Sequence, residues 1–242
     1  MAISFLSIQA DVESQINGLI ATTPTIAETA YSAVVAGTSV VADRTSTDWG
    51  LPQIQQAILD TEYEIIKEIC FNDRHPERSS FNAVSGALSS TAGLPTTAAS
   101  GATFLGKFNY CYENGTSTPL REREMQVVQW AITNSSSAFS SPRVLVYCIA
   151  GGVILHNSAT TVLLQGCAAD RNNVVANVYT PFTAIRVRDY YRAAIVAGSL
   201  VKLLAKEGQW LDAMQANAAI YSAQIEQIRS VGQQMAVPFT AR

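Results

Sequence analysis

The last quarter of the chain admits few folds. Leu211, Met214, Ala218, Tyr221, Ile225 and Ile228 recur at alternating steps of three and four. In a helix, that spacing lines all six along one narrow stripe, the geometry of a seam where helix packs on helix. Gln215, Asn217, Gln224, Glu226, Gln227 and Arg229 fill the other faces. Upstream, the run from Arg188 to Lys206 predicts a second helix, and Gly208 stands where a C-cap glycine belongs. The two read as a helical hairpin. A tail follows, Gly232 to Arg242, with too little apolar content to fold alone. A helical body ending in a loose peptide suits an assembly component better than an enzyme.

Two more helices are expected near the N-terminus. Phe5, Ile8, Val12, Ile16 and Leu19 keep a helical rhythm, which predicts a helix within residues 3–20. From Leu51 to Phe71, Ile54, Ile58, Ile65 and Ile69 share a face, with Ala57 and Ile66 beside them. Pro52 sits in the first turn, where its missing N–H costs nothing. Glu62, Glu64 and Glu68 are expected on the outward, solvated side. Residues 21–50 fit either a short helix or a connector.

The middle of the chain changes character. Residues 79–108 are small, polar and Gly-punctuated, with apolar residues that could make short strands. GKFNYCYENG then alternates Phe108, Tyr110 and Tyr112 on one side and ends at an Asn-Gly turn, which predicts a half-buried strand. MQVVQWAI, from Met125 to Ile132, fits a strand or a helical turn, and NSSSAFSSP reads as loop. Arg143 to Gln165 is the best hairpin, with β-branched runs parted by Gly151–Gly152 and a further turn at His156–Ser158. The expected fold class is therefore α+β. It is mainly a helical bundle, from residues 1–78 and the hairpin 181–231, with a β-hairpin-containing insertion over 79–180 and an extended C-terminal tail at 232–242. That order argues against an alternating βαβ architecture.

Composition narrows the function. Hydrophobic residues make up 48% of the 242, enough for one substantial core. Charged residues are only 14%, against about 25% in an ordinary globular protein. A surface of Ser, Thr, Asn, Gln and Ala is easily desolvated against a neighbour, as in a permanent subunit. The net charge of −3 carries no general affinity for nucleic acid. Arg186, Arg188 and Arg192 form a local basic cluster, as do Arg121 and Arg123; they fit helix-end and surface charges, or a patch facing DNA or an acidic neighbour. Cys70, Cys111, Cys148 and Cys167 stand far apart without a C-x-x-C pair, so neither a zinc site nor a disulfide framework is expected, only small buried hydrophobes in a reducing compartment. The N-terminal stretch lacks the basic region of a signal peptide, and no apolar run approaches the roughly 18 residues of a membrane span, so folding in a cytoplasm is expected.

A search for catalytic chemistry finds little. His75 and His156 are the two histidines, and neither has a nucleophile at a recognisable spacing. G-x-S-x-G, P-loop, G-x-G-x-x-G and H-E-x-x-H patterns are absent from the sequence. Glu122 and Glu124 alternate with Arg121 and Arg123, which suggests a solvated or intersubunit ion-pair patch. Tyr179, Tyr190, Tyr191 and Trp210 fit helix packing. No catalytic residue, metal or cofactor is expected.

Two segments resemble the head–tail adaptor (connector) proteins of tailed bacteriophages, the short-tailed ones in particular. One is LPQIQQAILDTEYEIIKEICFNDRHPERSSF, a helix with an A-I-x-x-x-E-x-E-I run leading into an H-P-x-R turn. The other is RVRDYYRAAIVAGSLVKLLAKEGQWLDAMQANAAIYSAQIEQIRS, two helices around an E-G stop and Trp210. The hairpin VLVYCIAGGVILHNSATTVLLQG is similar to the β segment of such phage structural proteins. The resemblance implies a dodecameric ring beneath the portal protein, assembled in the host cytoplasm and carried in the virion. Its underside would receive the tail nozzle or tail-tube protein, and its bore would touch packaged DNA weakly. The stripe from Leu211 to Ile228 would then be an intersubunit seam, and Met235, Val237, Pro238, Phe239 and Arg242 the anchors of a portal-docking tail; a frayed terminus is the other reading of those residues. The chain departs from the family's pattern in its length and its sizeable middle insertion. A tail-tube, tail-terminator or minor capsid subunit remains the alternative, and a hydrolase built around His75 or His156 a third.

Overall fold

A computed structural model describes residues 5–19, 51–134, 144–172, 185–205 and 210–231. The elements in chain order are α1 (Phe5–Leu19), α2 (Leu51–Phe71), a 3-10 helix (Pro76–Phe81), β1 (Asn82–Val84), β2 (Phe104–Glu113), β3 (Pro119–Glu122) and α3 (Met125–Thr133). They continue with β4 (Val146–Ala150), β5 (Val153–His156), β6 (Val162–Ala168), a second 3-10 turn (Asp189–Tyr191), α4 (Arg192–Leu204) and α5 (Leu211–Ser230). The chain divides into two compact units, one from residues 1–69 and 171–242, the other from 70–170.

The first unit is helical. Phe5, Ile8, Val12 and Ile16 of α1 are buried, as are Ile54, Ile58, Ile65 and Ile69 of α2. Helix α4 is buried almost all round, with Ala194 through Leu200 inside, because Ala, Gly and Ser leave room for neighbouring helices. Gly198 marks the closest approach. A Cβ there would stand 2.5 Å from Cγ2 of Thr61 on α2 and 2.8 Å from the Tyr221 ring on α5. Three helices meet at a residue that must have no side chain.

Charged and polar groups join these helices from within. Gln55 donates to Gln9 at 3.1 Å, and Gln9 donates to Glu13 at 2.8 Å, a buried bridge between α2 and α1. Glu62 is 1% exposed and accepts from the Arg186 backbone N–H and from its guanidinium, with the ion pair at 2.9 Å. Glu64 accepts from Lys202 Nζ and from the Tyr221 hydroxyl, and Glu68 pairs with Arg229 at 2.7 Å. The three glutamates expected to face solvent thus bind α2 to its neighbours. Glu62 itself is inside because 58, 62, 65 and 69 continue one helical stripe, and Arg186 makes that position tolerable for a carboxylate.

The second unit overturns the expectation of a mainly helical bundle with a small hairpin inserted. It is a six-stranded mixed sheet in the order β1-β6-β2-β3-β4-β5, curled into a half-barrel. The expected hairpin exists as β4 and β5 only. Gly151 and Gly152 have φ of 59° and 77°, the left-handed pair a two-residue turn requires. β6 leaves that hairpin and lies between β1 and β2, across the sheet. β3 and β4 are parallel, so the chain between them must cross over, and α3 makes the crossover. A βαβ unit is present where none was expected. These pairings join residues some 50 to 85 positions apart, such as Asn82 with Cys167 and Tyr112 with Leu163, and no local pattern encodes them.

The polar stretch after β1 closes the curl. Leu88 bridges Val162 of β6, Thr91 donates to Ile154, Ile154 donates to Ala92, and Leu94 donates to Gly152. One segment therefore runs from β6 to the free edge of β5. Its Leu88, Ala92 and Leu94 fill the concave side over Cys111, Leu120, Tyr147, Ile154, Val162 and Leu164. The interior is packed with side chains, and the β5 edge that could have recruited another strand is occupied. The expected extended tail, 232–242, lies outside the described residues.

Candidate interaction surfaces

Helix α3 is the most exposed apolar element of the β unit. Val128, Ala131 and Ile132 pack on Val146, Cys148 and Leu155, covering the β4–β5 hairpin. The outer side has no such cover. Trp130 is 61% exposed and Val127 45%, and Met125 at the helix start and Val144 before β4 are equally open. Spacing explains both faces: 128, 131 and 132 fall on one side of a nine-residue helix, 127 and 130 on another. Fully covering a Val or Met side chain is worth about 1.5–3 kcal/mol, and Trp offers more area still. Exposed large apolar residues grouped this way mark a contact surface.

A charged strip borders that face. Arg121, Glu122, Arg123 and Glu124 are all exposed. Their backbone is pinned, because Arg121 donates to the Leu145 carbonyl and Arg123 to the Tyr147 carbonyl, both at 2.9 Å. Their side chains make no ion pair among the described residues. Five other described arginines behave differently: Arg78, Arg171, Arg186, Arg192 and Arg229 each pair with a carboxylate of this chain. An alternating set of four charges beside an open aromatic is the composition of an interface edge, with an apolar centre and a polar rim.

The expected basic cluster does not stand free. Arg186 is bound to Glu62, and Arg192 to Asp11 at 2.7 Å; Arg188 is exposed and also has an interaction of its own. The expected seam faces inward along much of its length. Ile225 and Ile228 are buried, Tyr221 packs on Gly198 and bonds to Glu64, and Met214 and Ala218 are half-buried. Leu211 and Ile220 are the large apolar side chains of α5 that remain open, at 52% and 50%. Met235, Val237, Pro238, Phe239 and Arg242 lie outside the described residues.

Both histidines, the candidates for a catalytic base, are buried. His75 caps the 3-10 helix: its Nδ1 accepts from the Glu77 N–H at 3.2 Å, and Pro76 follows in the first turn. Burial holds its pKa below the ordinary value. His156 ends β5, opposite Tyr147, with 3% exposure. Its ring lies near the Leu88 and Ser89 carbonyls, yet neither nitrogen makes a well-formed hydrogen bond. Burial lowers its pKa too, partly offset by those carbonyls. Among the described residues no group of three metal-ligating side chains comes together, and no helix is long and apolar enough to cross a membrane. The chain matches no protein-family model, and no curated protein matches it.

Proposed function

We propose that this chain is a structural subunit of a tailed-phage virion, an adaptor that assembles as a dodecameric ring between the portal protein and the tail. The observation that carries the reading is the open face of α3, with Trp130, Val127 and Met125 exposed directly after four alternating charges that make no ion pair among the described residues. A monomer gains nothing from such a face, whereas a subunit covers it. The low charge content is in keeping with a surface made to be buried. A ring places each face against a different face of the next copy and closes by rotation.

In this reading the C-terminal residues Met235, Val237, Pro238 and Phe239 dock to the portal. The tail nozzle or tail-tube protein binds the opposite side of the ring. The subunit carries out no turnover. Contact with packaged DNA is weak and sliding, in keeping with a net charge of −3 and with Arg186 and Arg192 held in ion pairs.

The test is capture of the portal protein by the full chain and by a chain ending at residue 232. The full chain should bind, and the shortened one should lose most binding while keeping its helical circular dichroism. Retention of binding without the tail sinks the docking role. Binding only to tail-tube or capsid components would assign the subunit elsewhere in the virion, and turnover of a small substrate would remove it from this class.

A further inference from the structure

Two of the four cysteines are not solitary. Cys70, near the end of α2, and Cys167, in β6, belong to the same compact unit, and both are fully buried and unbridged. Their thiols act on one another, Cys70 favouring a thiolate at Cys167. One buried residue, Arg78, holds both. Its Nε donates to the Cys70 carbonyl at 3.0 Å and one guanidinium nitrogen donates to the Lys107 carbonyl at 3.0 Å, while another pairs with Asp73. The Arg78 carbonyl in turn accepts from Cys167 Sγ at 3.4 Å. Gly106 lets β2 run close beside this point: a Cβ there would lie 3.3 Å from the Cys70 carbonyl.

We propose that Cys70 and Cys167 are a built dithiol site, which a small peroxide converts to an intrachain disulfide joining the end of α2 to β6. The assignment is independent of any role in a virion. It rests on two buried cysteines tied to one buried arginine, through the Cys70 carbonyl and the Cys167 thiol, a setting in which the guanidinium favours a thiolate. The remaining cysteines lack that setting. Burial pushes Cys111 up to about 12 and raises Cys148 as well. Cys167, in contrast, is held below the ordinary thiol value, first by Cys70 and further by the Arg78 charge, while Cys70 is pushed up. The pair is thus polarised into an attacking sulfur and a resolving one.

The chemistry balances with hydrogen peroxide as the oxidant. The Cys167 thiolate attacks one peroxide oxygen, the O–O bond breaks, and hydroxide leaves; Cys167 becomes a sulfenic acid. The Cys70 sulfur then attacks the Cys167 sulfur, the S–O bond breaks, and the thiol proton leaves with the hydroxide as water. Two thiols lose two electrons, and one peroxide becomes two waters. A compact oxidant suits sulfurs without solvent exposure, where a bulky disulfide reagent would need the unit to open.

Peptide mapping of the native full chain tests this. After treatment with hydrogen peroxide and alkylation of remaining thiols, a cross-linked peptide containing Cys70 and Cys167 should appear while Cys111 and Cys148 are recovered alkylated. The initial rate of peroxide consumption should rise with a midpoint below that of an ordinary thiol. Cys70→Ser should leave a sulfenic acid at Cys167 that dimedone traps. Oxidation spread evenly over the four cysteines, cross-links only between chains, or a rate climbing without a midpoint below pH 8.5 would each overturn the assignment, and the first two need no variant to fold.

Discussion

Gly198→Ala should destabilise the helical unit, although alanine is the better helix former. A Cβ at 198 would lie 2.5 Å from Thr61 Cγ2 and 2.8 and 2.9 Å from two carbons of the Tyr221 ring. Carbon atoms rest at about 3.5–4.0 Å, so the shortfall at Thr61 is about 1 Å. Neither neighbour can easily yield. Thr61 is fully buried with its hydroxyl bonded to the Ala57 carbonyl at 2.8 Å, and the Tyr221 hydroxyl is tied to Glu64 at 2.9 Å. Overpacking of this kind costs about 1–3 kcal/mol, and three contacts on immobile groups place it at the upper end. Alanine recovers about 1 kcal/mol of helix propensity, leaving a net loss of about 2 kcal/mol. Urea unfolding followed by circular dichroism at 222 nm (about 25 °C) measures it. Thr61→Ser removes the nearest atom, so the double variant should lose about 1 kcal/mol less than the two single losses added together. If Gly198→Ala matches or exceeds the parent in stability, the three-helix contact at this residue is wrong.

Other outcomes follow from the same geometry. Arg186→Ala leaves the buried Glu62 carboxylate without its cation and should cost about 3–5 kcal/mol, whereas Glu62→Gln in that background should restore part of it; equal stability of Arg186→Ala and the parent in thermal unfolding would contradict the pairing. The buried histidines set an acid limit. His75 and His156 have folded pKa values below their unfolded ones, so their contribution is intact above about pH 6.5 and fades as the pH falls from there through the folded values. The thermal midpoint should therefore drop between pH 7.5 and 5.5, and His156→Phe should flatten that drop; a midpoint that rises on acidification would refute it. Trp130→Glu should leave the circular dichroism spectrum unchanged, because the side chain is largely exposed, yet weaken self-association at least tenfold; unchanged association removes α3 from the interface.

How far the sequence discloses this molecule depends on the range of the interactions. The helices 5–19, 51–71, 192–204 and 211–230 follow from their own periodicity, since each apolar stripe is written within a dozen residues. Even there a charge can hide in a stripe. Glu62 continues the row of Ile58, Ile65 and Ile69, and that register was the available sign that its carboxylate goes inside. The sheet is a different matter. Phe108 and Tyr110 alternate as one face of a strand, but register shifts in β2 before and after Phe108 turn it toward the core and leave Tyr110 open. The Ser- and Gly-rich stretch around Leu88 and Leu94 holds apolar residues that could make short strands, but it pairs by isolated bridges, which no repeating pattern discloses. Strands of three and four residues, β1 and β3, are too short to announce themselves.

The contact surface was legible only in part. The alternation of Arg121 to Glu124 pointed to an ion-pair patch, and the structure adds that no carboxylate or arginine of the described chain answers it. Trp130 was readable as a large apolar residue, but whether MQVVQWAI forms strand or helix decides which side it faces. As helix α3 it turns outward while Val128 turns in. The cluster Arg186, Arg188 and Arg192 looked available for DNA because its partners, Glu62 and Asp11, lie more than a hundred residues away. Long-range ion pairs consume charge that composition counts as free.

The mass of the particle formed by the purified full chain tests the central proposal most directly. Mass photometry across a concentration series, with negative-stain images of the same sample, should show one discrete closed ring of twelve copies that adds portal protein as a second tier. A species that stays a monomer at every concentration, and remains one when portal protein is present, would contradict the account.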